Sequence, residues 1–238
     1  MTYRLLSGGL IAGFAAGLVA ALLHFAFVQD LILLSEQYET GALTHFAAGH
    51  ETPAASAHDG GSHDHGGGGE AEGSPLQRNA LTLVFTCLIY VAYGLILIAG
   101  FGLAERFGIK IDVREGIFWG VAGFAAFQLA PAIGLAPELP GTIAADLTAR
   151  QIWWLGTVIA TAGGLALVAY GPGVATSLLG VALLAVPHIV GAPEIDAFHG
   201  VVPPEVAAAF SARVLGVGLV VWAVLGGLAG RLWSARPN

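Results

Sequence analysis

Long apolar runs divide the chain into segments of about the length that crosses a bilayer. A membrane-spanning helix needs about 20 mostly apolar residues, and six segments meet or nearly meet that length. They are residues 6–28, 80–103, 116–135, 152–170, 174–191 and 207–232. The pattern predicts an all-α, polytopic helical membrane protein with six transmembrane helices, in which residues 1–238 form a single membrane domain.

The number of spans depends on the turn Gly171-Pro172-Gly173, which separates two slightly short segments. A single bent element there would leave five spans. Lysine and arginine favour the cytoplasmic side. With six spans and both termini cytoplasmic, the basic residues on that side are Arg4, Arg106, Lys110, Arg114, Arg231 and Arg236, and those outside are Arg78, Arg150 and Arg213. This bias favours six spans and cytoplasmic termini.

Composition supports a membrane location and narrows the function. Charged residues make up only 11 % of the chain, which also contains 35 glycines and a single cysteine, Cys87. Small residues let membrane helices approach closely. The sequence contains no P-loop, dinucleotide-binding fingerprint or nucleophile elbow, and nothing indicates nucleic-acid binding. We therefore expect an integral membrane protein that is not an enzyme.

Acidic residues and histidines gather on the predicted outer side. Only Glu105, Asp112 and Glu115 lie on the cytoplasmic side, and the other carboxylates lie at or beyond the outer ends of helices. Six histidines lie in outer loops, whereas His24 and His188 lie near the outer ends of helices. A face rich in carboxylate and imidazole attracts cations through its field and offers ligands to them.

A glycine-rich stretch contains most of these loop histidines. The stretch "GHETPAASAHDGGSHDHGGGGEAEGS" lies within a predicted flexible outer loop, residues 35–79, that cannot bury a core. Its part "HDGGSHDH" brings His58, His63 and His65 together with two aspartates. We predict that these three histidines capture metal ions. The alternative is a solvated linker whose histidines have no role.

Further candidate ligands lie beside the predicted spans. Glu36 and Glu39 form an i, i+3 pair after the first span, and Glu138 lies in the proline-rich stretch "APAIGLAPELPG". His188 and His24 are the histidines within spans. The alternatives are an interfacial acidic collar, a plain proline-rich turn and histidines that merely bond a neighbouring carbonyl. Arg150 is placed to pair with Glu138 or Asp146.

An ordered series of motifs resembles the CbtA family, described as probable cobalt transporter subunits. The series is "LILLSEQYETG", "APAIGLAPELPG", "LTARQIWWLGT" and "VPHIVGAPE", and the resemblance extends over nearly the whole chain. The residues that match the family pattern are Glu36, Tyr38, Glu39, Pro137, Glu138, Pro140, Gly141, Arg150, Gln151, Trp154, Pro187, His188 and Pro193. The chain departs from the pattern at Asp30-Leu31, where the family usually has proline and leucine, and in its long histidine-glycine insert.

The resemblance implies uptake of divalent cobalt across the inner membrane, linked to cobalamin synthesis. It also implies a small, single-span partner like CbtB, and no tightly bound cofactor. Nickel or zinc is an alternative cargo, since nitrogen and oxygen ligands do not select cobalt by affinity. A metal-binding accessory or sensor subunit that conducts nothing is the alternative from a different class, because the inner halves of the spans contain few polar residues.

Overall fold

The structure is a computed structural model that describes residues 2–45, 74–195 and 200–235. Over these ranges the chain forms helices and connecting segments, with one isolated β-bridge between Thr142 and Gly200 and no β-strand. The helices are α1 (Thr2–Phe27), α2 (Gln29–Glu39), α3 (Pro75–Arg106), α4 (Val113–Phe124), a π-helix (Ala125–Leu129), α5 (Ala130–Gly134), α6 (Leu147–Tyr170), α7 (Val174–Val190) and α8 (Pro204–Ser234).

Each apolar segment predicted from the sequence is helical, which confirms the all-α membrane class. Five stretches are long and apolar enough to cross a membrane: Leu6–Phe27, Pro75–Arg106, Val113–Gly134, Leu147–Tyr170 and Pro204–Ser234. The sixth, α7, is apolar but has only 17 residues. Six spans with cytoplasmic termini therefore remain a prediction.

The third of these stretches contains α4, the π-helix and α5 in direct succession. The sequence predicts a span over residues 116–135, and the helix does continue through Pro131, which lies in the first turn of α5, and ends at Gly134. Proline lacks an N–H group, and the i→i+5 bonds of a π-helix reorganise the backbone just before it. The irregularity lies inside the span rather than after it.

The first apolar segment does not continue as one helix into the acidic stretch. α1 ends at Phe27 and α2 begins at Gln29, with Val28 buried at the junction. On α2, Leu31 belongs to a small core that includes Leu139 and Phe210, and Ser35 is also buried. α2 reaches Glu39 and α3 begins at Pro75, so helix occupies both ends of the 35–79 range predicted as loop, and residues 46–73 lie outside the described ranges.

Glycines bring three pairs of helices into backbone contact. α1 packs along α3, α4 along α8, and α6 along α7. A Cβ atom on Gly13 would lie 2.5 Å from Val91 Cα, and one on Gly164 would lie 2.7 Å from the Gly180 carbonyl oxygen. A Cβ on Gly120 would overlap the Trp222 carbonyl. Helix pairs of this kind associate through close packing of small residues.

The three pairs differ in how they join one another. α1 also packs against α8, and the core that joins these two pairs includes Phe101, Val221, Trp222 and Leu225. The α6–α7 pair meets this bundle mainly at the π-helix and α5. Between α6 and the bundle lies an apolar cavity of about 370 Å³, lined in part by Trp119, Phe127 and Tyr170.

Candidate functional site

One end of the bundle gathers α2, the segment between α5 and α6, and the beginnings of α3 and α8. We call it the acidic end, because its carboxylates are Asp30, Glu36, Glu39, Glu138, Asp146, Glu194 and Glu205. Gln29 donates to the Asn79 side chain at 3.0 Å, and Ser211 donates to the Pro137 carbonyl at 2.9 Å. The first bond joins the beginning of α2 to that of α3. The second joins the proline-rich segment to α8.

Two α2 carboxylates pair with arginines of other helices. Glu36 lies 3.7 Å from Arg78 of α3, and both side chains are more than 40 % exposed. Asp30 accepts a bond of 3.0 Å from Arg213 of α8, whose guanidinium also donates to the Phe27 carbonyl at 2.9 Å. Exposed pairs of this kind contribute about 0–1 kcal/mol. They orient α2 without locking its carboxylates.

Glu138 pairs with Arg150 at 2.7 Å, as the sequence predicts. The alternative partner, Asp146, instead accepts a bond from the Ala149 N–H and begins α6 as its N-cap residue. Arg150 donates to Glu138 through Nη2, while its Nε is buried without a hydrogen-bond partner. Glu138, in the segment between α5 and α6, therefore has a single bond to the guanidinium of Arg150.

Glu39 packs against the proline-rich segment. Gly141 has a φ of +79°, and a Cβ there would lie 3.3 Å from Glu39 Cβ. Thr142 closes the same turn by donating to the Leu139 carbonyl at 2.7 Å. Gly141 therefore serves two needs at one position, a left-handed backbone and room for the α2 side chain. This contact brings the segment that contains Glu138 next to the helix that contains Glu36.

The two helical histidines lie apart from these pairs. His188, near the end of α7, is exposed, and its ring lies edge-on to Trp153 with centroids 6.4 Å apart. Trp153 donates to the Pro187 carbonyl at 3.2 Å, which holds this end of α7 against the start of α6. His24 is half-buried in the last turn of α1, edge-on to Phe25 at 5.7 Å.

The predicted ligands therefore occupy one end of the molecule without forming a ready-made cluster. Within residues 2–45, 74–195 and 200–235, no three of the His, Cys, Asp and Glu side chains are grouped as a metal site. His58, His63 and His65 lie outside the described residues, although the chain enters and leaves their segment at the acidic end. The role of each predicted ligand stays a prediction.

Two features of the acidic end were not predicted from the sequence. The pairs Glu36–Arg78 and Asp30–Arg213 join residues 42 and 183 positions apart, which only the packing of α2 against α3 and α8 brings together. The arginines did indicate that such pairs would form, because each arginine on the predicted outer side was available to pair with a carboxylate. Their partners were not readable from spacing.

In the described part of the chain, long apolar helices, close glycine contacts and charged side chains at the two ends define a polytopic helical membrane protein. The model of the CbtA family, described as "Probable cobalt transporter subunit", matches residues 2–234, so the chain belongs to the CbtA family. No curated protein and no solved structure matches the chain. Membership makes it a cobalt transporter subunit, and the family is one of transporter subunits rather than of enzymes.

Proposed function

We propose that this chain is the membrane-embedded subunit through which divalent cobalt enters the cell across the bacterial inner membrane. The carboxylates and histidines of the acidic end collect the ion, with Glu36, Glu39, Glu138 and His188 at its point of access. His58, His63 and His65 capture ions ahead of it, and His24 lies one step further in. Cobalamin synthesis is the use we propose for the imported ion.

The Glu138–Arg150 pair is the observation that carries the proposal. A bond of 2.7 Å joins the Glu138 carboxylate to the Arg150 guanidinium, and the two side chains are 35 % and 26 % exposed. Because a partly exposed pair contributes only about 0–1 kcal/mol, a divalent ion with twice the charge of guanidinium can displace Arg150. Arg150 thus occupies the Glu138 carboxylate until an ion binds and displaces it.

We also propose a small partner with a single membrane helix. Support comes from the family's description as a subunit, and from the apolar character of the bundle away from the acidic end. The cavity between α6 and the bundle is lined by side chains that offer an ion few ligands. Because the chain has a polar access site but apolar surroundings beyond it, we expect another polypeptide to complete the path of the ion.

Metal accumulation in cells tests the proposal. We would express the chain with and without its small partner, and count cobalt, nickel and zinc taken up from low external concentrations. We expect selective cobalt uptake that depends on the partner. Loss of one ligand to a charged ion should slow its uptake roughly tenfold. Glu138→Gln and Glu36→Gln should therefore each lower the initial rate of cobalt uptake by about that factor.

The same substitution at the opposite end provides the control. Glu115 lies in the first turn of α4, beside the Asp112 N-cap, and Glu115→Gln removes one carboxylate without touching the acidic end. Its uptake should equal that of the unaltered protein. Equal uptake by all variants at matched membrane abundance would contradict the assigned access site. Preferential uptake of nickel or zinc would show that this metal, and not cobalt, is the cargo.

Binding of cobalt without uptake of any metal would favour the alternative, an accessory or sensor subunit. The observation in favour of this second candidate is that the spans place their described charged side chains at the two ends. The two readouts therefore separate a conducting subunit from a binding one.

A further inference from the structure

The apolar cavity beside α6 opens on the lateral surface of the helix bundle. Trp222, which is 1 % exposed, and the buried Leu97 close it toward the core. At its rim, Phe118 of α4 is 54 % exposed, and Ile96 of α3 and Tyr170 of α6 are also exposed. Because exposed apolar side chains of membrane-spanning helices face lipid, the cavity is accessible from the hydrocarbon core of the bilayer.

Small apolar side chains give the cavity its volume of about 370 Å³. Ala122 and Ala126 line it on α4, and Ala162 and Ala166 line it on α6. None of its described lining residues is charged. Apolar cavities of this kind stay free of water but bind hydrocarbon. The lining therefore fits a hydrocarbon chain.

The length of the cavity matches the thickness of one leaflet. On α4 the lining extends over nine positions, from Phe118 to Phe127, which is about 14 Å at about 1.5 Å per residue. A hydrocarbon core of about 30 Å gives each leaflet about 15 Å. On α6 the lining begins at Tyr170, the last residue of that helix, and reaches back to Ala162. The cavity thus extends from one membrane surface toward the middle of the span, as an acyl chain does.

A cation lies at the mouth of the cavity. We call this end of the bundle the basic end, after Arg106, Lys110, Arg114 and Arg231. The Arg114 guanidinium lies 5.4 Å from the centroid of the Phe118 ring, which forms part of the rim. No described carboxylate forms an ion pair with Arg114, whereas each arginine of the acidic end has such a partner. An arginine in this position suits a phosphate, which guanidinium binds through two parallel hydrogen bonds.

We propose that the cavity is a binding site for an anionic phospholipid of the leaflet at the basic end. One acyl chain fills the cavity, and the headgroup phosphate binds Arg114. Because α6 meets the bundle mainly at the π-helix and α5, the bound chain supplies contact along the part of α6 that these elements do not reach. The site contains no metal ligand, so it stands whether or not the chain transports cobalt.

Native mass spectrometry of the purified full chain tests the headgroup contact. Dioleoylphosphatidylglycerol and dioleoylphosphatidylcholine have the same acyl chains and differ in headgroup charge. With both lipids present in equal amounts, we expect the protein to retain one molecule of the anionic lipid in preference to the neutral one. Arg114→Gln should reduce this preference about fivefold, the usual contribution of one basic residue at a membrane surface.

Arg231→Gln is the matched control for the headgroup. It removes the same charge from the same end of the bundle, in the last turn of α8, and should leave the preference unchanged. Arg114 is exposed, so its substitution does not disturb the packing of the helices. Equal lipid preference in the two variants would overturn the assignment of the phosphate to Arg114.

A phenylalanine in the cavity tests the acyl chain. Ala166→Phe fills part of the cavity and should abolish retention of the lipid, whereas Ala182→Phe, on the exposed surface of α7, should not. Added anionic lipid should raise the Tm of the unaltered protein and of Ala182→Phe, but not that of Ala166→Phe. Equal retention by the two variants would overturn the site. Leucine at the same two positions gives the same comparison if phenylalanine prevents folding.

The same variants distinguish the lipid from a protein occupant, the membrane helix of the proposed small partner. We expect the unaltered chain to retain the anionic lipid both alone and when purified with the partner, and Ala166→Phe to bind the partner normally. Loss of the lipid on partner binding, or failure of Ala166→Phe to copurify with the partner, would show that the cavity receives a helix. Either result would reject the lipid site.

Discussion

Arginines determine the state of the acidic end at the scale of single residues. Arg78 and Arg150 contact Glu36 and Glu138, two carboxylates predicted from the sequence as metal ligands, and Arg213 contacts Asp30. A carboxylate paired with an arginine is already occupied, so an arriving ion competes with a guanidinium rather than filling an empty site. The paired arginine thus sets the metal concentration at which the ion binds.

Removing one of these arginines should therefore strengthen metal binding. Arg150→Gln eliminates the competitor at Glu138, and because an exposed pair is worth up to about 1 kcal/mol, the apparent affinity for cobalt should rise by up to about fivefold. Titration of the purified protein with cobalt measures this change.

Arg213→Gln is the matched control for that measurement. It makes the same change at the same end but frees Asp30, which is not among the predicted ligands. Its cobalt affinity should not change. Weaker binding in Arg150→Gln than in the unaltered protein would show that Arg150 supports the site instead of competing for it.

Spacing along the chain decides which of these residue contacts could be foreseen. Glu138 and Arg150 flank one turn, so their pairing was predictable, although Asp146 remained an equal candidate until the structure showed it as an N-cap. The pairs of α2 depend on how α2 docks on α3 and α8. Hydropathy does not encode that docking.

At the scale of elements, glycines set how closely the helices approach. On α6, a Cβ at Gly164 would lie 2.7 Å from the Gly180 carbonyl oxygen, whereas one at its neighbour Gly163 would meet nothing within 4 Å. Close packing of α6 on α7 therefore requires glycine at position 164 but not at position 163, although the sequences around the two positions are nearly identical.

Alanine at these two positions should show the difference. Gly164→Ala forces α7 away from α6 and should lower the free energy of unfolding by about 1–3 kcal/mol, the usual cost of overpacking. Gly163→Ala should change it by no more than about 0.5 kcal/mol. Unfolding in mixed detergent micelles measures both, and equal losses would refute the close α6–α7 contact.

Sequence predicted the existence of the elements better than their internal form. The apolar runs identified each long helix, because the bilayer demands the same length of all of them. The π-helix before Pro131 and the break at Val28 were not foreseen. Both depend on the local geometry of the backbone, which does not alter the pattern of apolar residues along the chain.

At the scale of the whole molecule, the two ends differ in charge. Lys110, Arg106, Arg114 and Arg231 lie at the end opposite the acidic end, where Glu105 accepts a bond from the Trp233 indole. This agrees with an inward-facing basic end. α7 connects the two ends, since it begins after the Gly171-Pro172-Gly173 turn and its last turn meets Trp153.

Thiol labelling in spheroplasts tests this topology. In a Cys87→Ala background, a membrane-impermeant maleimide should label Glu194→Cys from outside and Pro172→Cys only after permeabilisation, because α7 separates the two positions. Thr40→Cys on the outer side and Phe107→Cys on the inner side calibrate the assay. Labelling of positions 172 and 194 from one side would leave five spans.

The 17 residues of α7 have a consequence for the surrounding lipid. At 1.5 Å per residue the helix is about 25 Å long, several ångströms less than a typical hydrocarbon core of about 30 Å. If α7 is the sixth span, the bilayer has to thin or the flanking residues have to reach out beside the α6–α7 pair, at a fraction of a kcal/mol per ångström of mismatch. Short-chain lipids remove this mismatch, so membrane thickness acts directly on the part of the molecule that is joined least tightly to the rest.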